Sequence, residues 1–337
     1  MKRIASFFLA LALAFSLTAC TVPAEKADDG KIQIVATLFP YYDFARAIVG
    51  NRADVTLLLS PGREAHSFEP TPLDAVTISE SDVFLYNGGE GEYWVDSMLG
   101  AAGENIAVIA RMMDYVDALD EEYVEGMQGA DGHDHDHEHG SHDDHDDHDH
   151  DHEEDEHDSD EVEYDEHIWT SPVNAMKITQ VIADTLQEMD SADADTFAAN
   201  AEDYLGKLKN LDQEFRNVAD GADLDLIVMA DKFPLRYFAD TYGLRYRAAF
   251  SGCASDTEPS AKTIAYLIDK VREEQIPAVY YLELSSHRVA EIISEETGAK
   301  PLLFHSCHNV TRREFDNGVT YLELMEQNVV NLRKGLE

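Results

Sequence analysis

Ile32-Gln33-Ile34-Val35-Ala36 leads through Phe44-Ala45-Arg46-Ala47-Ile48-Val49-Gly50 to Val55-Thr56-Leu57-Leu58-Leu59. The outer runs are short, apolar and rich in β-branched residues, the composition of strands buried on both faces. The middle run is helical in pattern and stops at glycine, a common helix C-terminus. Strand, helix and second buried strand make a βαβ unit, and such units build parallel sheets covered on both faces. Outward from this stretch, the pattern predicts a helix over 72–79 and strands over 83–87 and 106–109. A second series follows, with strands over 224–230, 246–250, 278–283 and 301–304 and helices between them. Between the two series lie helices over 172–189, with Ser171 and Pro172 suited to N-cap and N1, and over 192–218, almost free of helix breakers. A last helix over 319–336 packs back on the fold. The expected class is α/β: two Rossmann-like lobes with parallel sheets, over 31–190 and 222–337, joined by a long rigid helix over 191–221.

The chain of 337 residues, 44% of them apolar, has the length and apolar content for two such lobes. Its start carries an address. Lys2 and Arg3 precede an apolar run over 4–15 that ends at Leu17-Thr18-Ala19-Cys20. The run is short for a membrane span, and the small residues before Cys20 resemble the lipobox of bacterial lipoproteins. Residues 1–19 are therefore expected to be a signal peptide, Cys20 the lipidated residue and 20–30 a polar tether. Later segments fall short of membrane length, so the mature protein is expected to be soluble apart from this anchor. In an oxidising compartment Cys253 and Cys307 are a candidate disulfide, the alternatives being free thiols or a thiolate metal ligand.

Lys and Arg number 25 against 68 Asp and Glu, a net charge of −43. Such a chain repels polyanions, which argues against nucleic acid, and attracts cations. Over 131–166, His133, His135, His137, His139, His142, His145, His148, His150, His152 and His157 stand among carboxylates with little that is apolar. This segment is expected to be a disordered loop inside the first lobe that collects metal. Imidazole suits zinc, with copper, nickel or cobalt behind it, whereas calcium and magnesium prefer oxygen.

A single tight site needs ligands on rigid elements. His66 lies in Pro61-Gly62-Arg63-Glu64-Ala65-His66-Ser67-Phe68-Glu69-Pro70, at a strand's carboxyl end, where open α/β sheets bind ligands. His167 precedes a capped helix in Asp165-Glu166-His167-Ile168-Trp169-Thr170-Ser171-Pro172. His305 and His308 flank Cys307 after the strand over 301–304.

These stretches, together with Tyr86-Asn87-Gly88-Gly89, Glu92-Tyr93-Trp94, Tyr242-Gly243-Leu244 and Glu258-Pro259-Ser260-Ala261, resemble the metal-binding solute-binding proteins of bacterial ABC importers, in their zinc branch. The resemblance implies two lobes, zinc between them, and a His-rich acidic insertion. It places the family's first two histidine ligands on His66 and His167. Its third histidine should fall in Ala230-Asp231-Lys232-Phe233-Pro234, which has none; Asp231 is the substitute, since Lys232, which can align with that histidine, is a poor ligand when protonated. The family's final acidic ligand falls near 304–308, where His305 is the first choice and His308 the alternate, with Glu283 in reserve.

The expected function is capture of Zn2+ outside the cytoplasm and its delivery to the permease and ATPase of an ABC importer, by a lipid-anchored monomer. Catalysis is not expected, because no His-Glu-x-x-His element occurs. Manganese would call for more oxygen ligands, and a surface adhesin role is compatible with metal uptake.

Overall fold

The structure, a computed structural model, describes residues 30–128, 163–254 and 258–337. Strands β1 (Gln33–Ala36), β2 (Asp54–Leu57), β3 (Val83–Tyr86) and β4 (Val108–Arg111) form an all-parallel sheet in the order β2-β1-β3-β4. Helices α1 (Phe39–Val49), α2 (Pro72–Ser79) and α3 (Trp94–Ala102) connect them. Then come α4 (Pro172–Met189) and α5 (Ala194–Gly221). The second sheet, also all parallel, runs β6 (Arg245–Ser251), β5 (Leu226–Phe233), β7 (Ala278–Tyr281), β8 (Lys300–Leu303). Its helices are α6 (Arg236–Tyr242), α7 (Ala261–Glu273), α8 (Arg288–Thr297), α9 (Arg312–Asp316) and α10 (Tyr321–Leu336). Both sheets change direction of growth at their centre, between β1 and β3 and between β5 and β7, the crevice where such sheets hold ligands.

Local chemistry sets the element ends. Thr71 and Asp74 close α2 with a reciprocal capping box, as do Thr320 and Glu323 for α10. Helix α1 starts at Phe39, ahead of the expected 44, because Pro40 sits in the first turn, where its missing N–H costs nothing. Strand β5 runs past the expected 230 to Phe233 by way of a register shift between Met229 and Lys232. Asp231 and Lys232 therefore belong to a strand rather than a loop. The acidic insertion ends earlier than expected: Tyr164 bridges to Asp120, and the Asp165 N–H donates to the Leu119 carbonyl at 2.9 Å. Residues 163–166 are thus structured, while Cys20 and the ten histidines from His133 to His157 lie outside the described residues.

Alternation along the strands divides the core. Val35 and Phe84 face an outer cluster with Ile78, Trp94 and Val95, and Val228 and Val279 face another with Leu267 and Ile293. The opposite faces, carrying Ile34, Leu85, Met229 and Tyr280, meet in one continuous core with α1, α4, α5 and α10. Helix α5 fits this role through Phe197, Ala201, Tyr204, Leu208, Leu211, Phe215 and Val218, an apolar stripe at alternating steps of four and three residues. Its 28 residues span about 42 Å. Buried Asp43 of α1 receives the Arg46 Nε–H at 2.7 Å, the Tyr321 N–H at 2.7 Å and the Tyr204 hydroxyl at 3.1 Å, tying α1, α5 and α10 together. Among the described residues, no helix is long and apolar enough to cross a membrane.

Candidate metal centre

Three loops deliver three imidazoles to one place. His66 comes from the loop between β2 and α2, His167 from the turn that opens α4, and His308 from the segment after β8. Their ring centroids lie 5.5, 5.2 and 5.3 Å apart, and one nitrogen from each falls within 4.8 Å of the others. Among the described residues this is the one His/Cys/Asp/Glu group with metal-binding spacing. Zn–N bonds of about 2.05 Å in a tetrahedron put ligand nitrogens about 3.4 Å apart, so modest loop contraction completes the set.

Each ring is held by neighbours. The His167 Nδ1–H donates to Asp165 Oδ1 at 3.1 Å, which leaves Nε2 as the nitrogen open to a metal. Asp165 is itself anchored, since Oδ1 also accepts the His167 N–H at 2.8 Å and Tyr237 donates its hydroxyl to the Asp165 carbonyl at 2.9 Å. Trp169, fully buried at the start of α4, stands 4.8 Å from the His308 ring and donates its indole N–H to the Ser306 carbonyl at 2.9 Å. Glu283 accepts the N–H and hydroxyl of Ser306 at 2.9 and 2.6 Å, and Ser306 Oγ accepts the His308 N–H at 3.1 Å. Asn309 Nδ2 donates to the Ser60 and Arg63 carbonyls, both at 2.9 Å, which fastens the His308 segment to the His66 loop.

The electrostatics favour a neutral ring at two of the three histidines. Burial, reinforced by His167 and Lys232, pushes the His66 pKa down to about 3. The same causes, with His66 added, hold His308 well below the ordinary value. At His167 burial also opposes charge, but Asp165, Glu166 and Glu121 outweigh it and raise the pKa.

The structure reverses the order of His305 and His308. Cys307 has a left-handed φ of 59°, which turns the chain so that His305 points into the core and His308 into the cleft. His305 accepts the Cys307 N–H on Nδ1 at 2.9 Å, and its own N–H donates to Asn328 of α10 at 2.8 Å. Asp231 lines the cleft but stays outside the triad: its oxygens accept the Lys232 and Leu282 N–H groups at 2.9 and 3.4 Å. Glu283 supports the His308 segment and is likewise outside the triad. Cys253 and Cys307 are free thiols, contrary to the expected pairing. Cys253 sits in the field of Asp165, Glu121 and Glu166, whereas Cys307 is fully buried in that of Glu283, Asp43 and Glu314, so the two occupy different surroundings.

The motif tripeptide Asp165-Glu166-His167 marks the histidine that joins the group, whereas the supporting part played by its acids shows only in the structure. Glu166 Oε1 accepts the Gly91 N–H at 2.7 Å, and Asn87 Nδ2 donates to the Glu166 carbonyl at 2.9 Å. Gly91 lets these groups meet, since a Cβ there would stand 2.7 Å from Glu166 Oε2 and 3.2 Å from His66 Nδ1.

A model of the zinc-uptake complex component A periplasmic family, ZnuA, matches residues 34–335. The chain belongs to this family. Its members are solute-binding proteins, not enzymes. The high-affinity zinc uptake system protein ZnuA of Bacillus subtilis is 30% identical over 340 residues, 99% of this chain and 98% of that protein. The zinc-binding lipoprotein AdcA of Streptococcus pneumoniae is 31% identical over 99% of this chain, which spans 61% of that longer relative. The zinc-bound ZnuA-like domain of AdcA superposes with a TM-score of 0.69 at 27% identity, over 91% of this chain and 99% of that domain.

Proposed function

We propose that this protein captures Zn2+ outside the cytoplasm through His66, His167 and His308 and delivers it to the permease and ATPase of an ABC importer. The observation that carries this reading is the convergence of three imidazoles from three loops, two of them kept neutral by burial. Neutral nitrogen donors suit zinc and leave manganese poorly served. The core shared by both sheets supports release by shifts of the cleft loops rather than by wide opening of the lobes over 31–190 and 222–337 about the helix over 191–221. Lipid on Cys20 holds the protein, as a monomer, beside its permease. The histidines from His133 to His157 raise the local zinc concentration and feed the cleft, as an accessory to it.

Chelator competition on the purified protein tests the reading. The wild type should show one tight zinc site above a background of weaker ones, and His66→Ala with His308→Ala should abolish the tight site alone. A tight site that survives the double substitution would sink the assignment.

A further inference from the structure

His167 stands on irregular backbone. Its φ and ψ of −86° and 48° belong to neither helix nor strand, and Ile168–Thr170 make a single short helical turn before α4. Such a turn has few hydrogen bonds of its own, so its neighbours must fix it.

The neighbour that does so is α6, which follows β5 of the second sheet. The buried Tyr237 hydroxyl donates to the Asp165 carbonyl at 2.9 Å and accepts the Leu119 N–H at 3.1 Å. Leu119 and Asp165 are joined in turn, the Asp165 N–H reaching the Leu119 carbonyl at 2.9 Å. One phenol therefore clamps both chains at the base of the His167 turn. A helical turn further along α6, the Thr241 hydroxyl donates to the Tyr237 carbonyl at 2.6 Å and stands 2.8 Å from Ser171 Oγ, which leaves Ser171 as the donor to Thr241. Helix α6 thus grips 165–171 at both ends. It also reaches the segment that carries His308, for the Phe238 ring lies 5.2 Å from that of Phe304 and 4.8 Å from that of Phe215 on α5.

The link from Tyr237 to the imidazole runs through one residue. The phenol holds the backbone of Asp165, and Asp165 Oδ1 accepts both the His167 N–H at 2.8 Å and its Nδ1–H at 3.1 Å. Removing the hydroxyl strips a donor from a buried carbonyl and an acceptor from the Leu119 N–H, and the turn is then free to relax away from the geometry that aims His167 at the cleft.

We propose that Tyr237 is a positioning residue for zinc, holding the His167 turn from the opposite sheet so that its hydroxyl sets how long the metal is retained. This deepens the proposed function and rests on the cleft being the zinc site.

Stopped-flow transfer of zinc from the full chain to a chelator tests it, with the His66→Ala/His308→Ala variant subtracted to remove the sites of the His-rich segment. Tyr237→Phe keeps the ring and should speed dissociation from the tight site about tenfold. Thr241→Val, which loosens the other end of the grip, should act in the same direction. Tyr280→Phe is the control: it removes a hydroxyl equally buried, which donates to the Asn331 carbonyl at 3.3 Å, and should leave dissociation unchanged whatever it does to Tm. Cobalt(II), which imidazole also binds, gives a second readout, since the absorption bands of the cleft ion should shift in Tyr237→Phe and stay put in Tyr280→Phe. Wild-type dissociation in either α6 variant overturns the proposal, as do wild-type cobalt bands in Tyr237→Phe or an equal acceleration in Tyr280→Phe. A wild type with no tight cleft zinc at all defeats the proposed function instead, so the two failures are told apart.

Discussion

Two histidines of the triad and the third differ in the charge they carry before metal arrives. His66, with its pKa near 3, and His308, well below 6.5, are neutral at pH 6, whereas His167 is held above its ordinary value by Asp165. Only His167 then has a proton to give up. Zinc binding at pH 6 should release about one proton from the cleft rather than three, and affinity should fall by about tenfold per unit as pH drops below the His167 pKa. Calorimetry in buffers of different ionisation enthalpy, with the His66→Ala/His308→Ala variant subtracted to remove the His-rich segment, reads this number directly; a release near three would contradict the assignment. Gly91 is the second test at this scale. Gly91→Ala should push Glu166 and His66 apart and weaken zinc binding about tenfold in chelator competition, with a much smaller effect on melting. That His66 and His167 would be brought to one cleft was legible from motif and position. The choice between His305 and His308 was not, because it turns on the φ of Cys307, and nothing in His-Ser-Cys-His announces which imidazole follows a left-handed residue.

Segments were read most sharply where a proline opens the first turn, although Ser171 turns its hydroxyl to Thr241 rather than capping α4. Helices α2 and α4 begin at prolines after Thr71 and Ser171, and both match the expected spans 72–79 and 172–189. The start of α1 was hidden because Pro40 looks like a breaker until it is seen in the first turn, and the extension of β5 depends on pairing with β6 that sequence does not display. The ordering of residues 163–166 depends on partners at 119–121, distant in sequence. Between elements, the Asn309 side chain is the polar tie from the His308 segment to the carbonyls of the His66 loop. Asn309→Asp keeps the shape and removes the donor. It should speed zinc dissociation in stopped-flow exchange with a chelator while costing about 1–3 kcal/mol of stability, the cost of carbonyls left unpaired. Unchanged dissociation would show that the two loops hold their positions independently.

At the scale of the molecule, the α/β class and its two parallel sheets follow from the alternation of short apolar runs with helical patterns. The sharing of one core by both sheets does not, since it reflects which faces turn inward. Because Ile34 and Met229 belong to the same continuous cluster, heating should give one calorimetric transition rather than two. Zinc at about a hundred times its dissociation constant should stabilise the fold by about 2.7 kcal/mol, a rise in Tm of about 4 °C for a chain of this size. Two resolved transitions would mean that the lobes fold separately.

That common interior has a consequence for the protein's lifetime in the envelope. If heating gives the single transition, neither lobe would outlast its partner as a stable fragment for a protease to trim. Degradation of this chain should be all or nothing, governed by rare global opening that bound zinc makes rarer still. A cell short of the metal would then clear its unloaded receptors whole, and the abundance of the protein would itself report how much zinc it has caught.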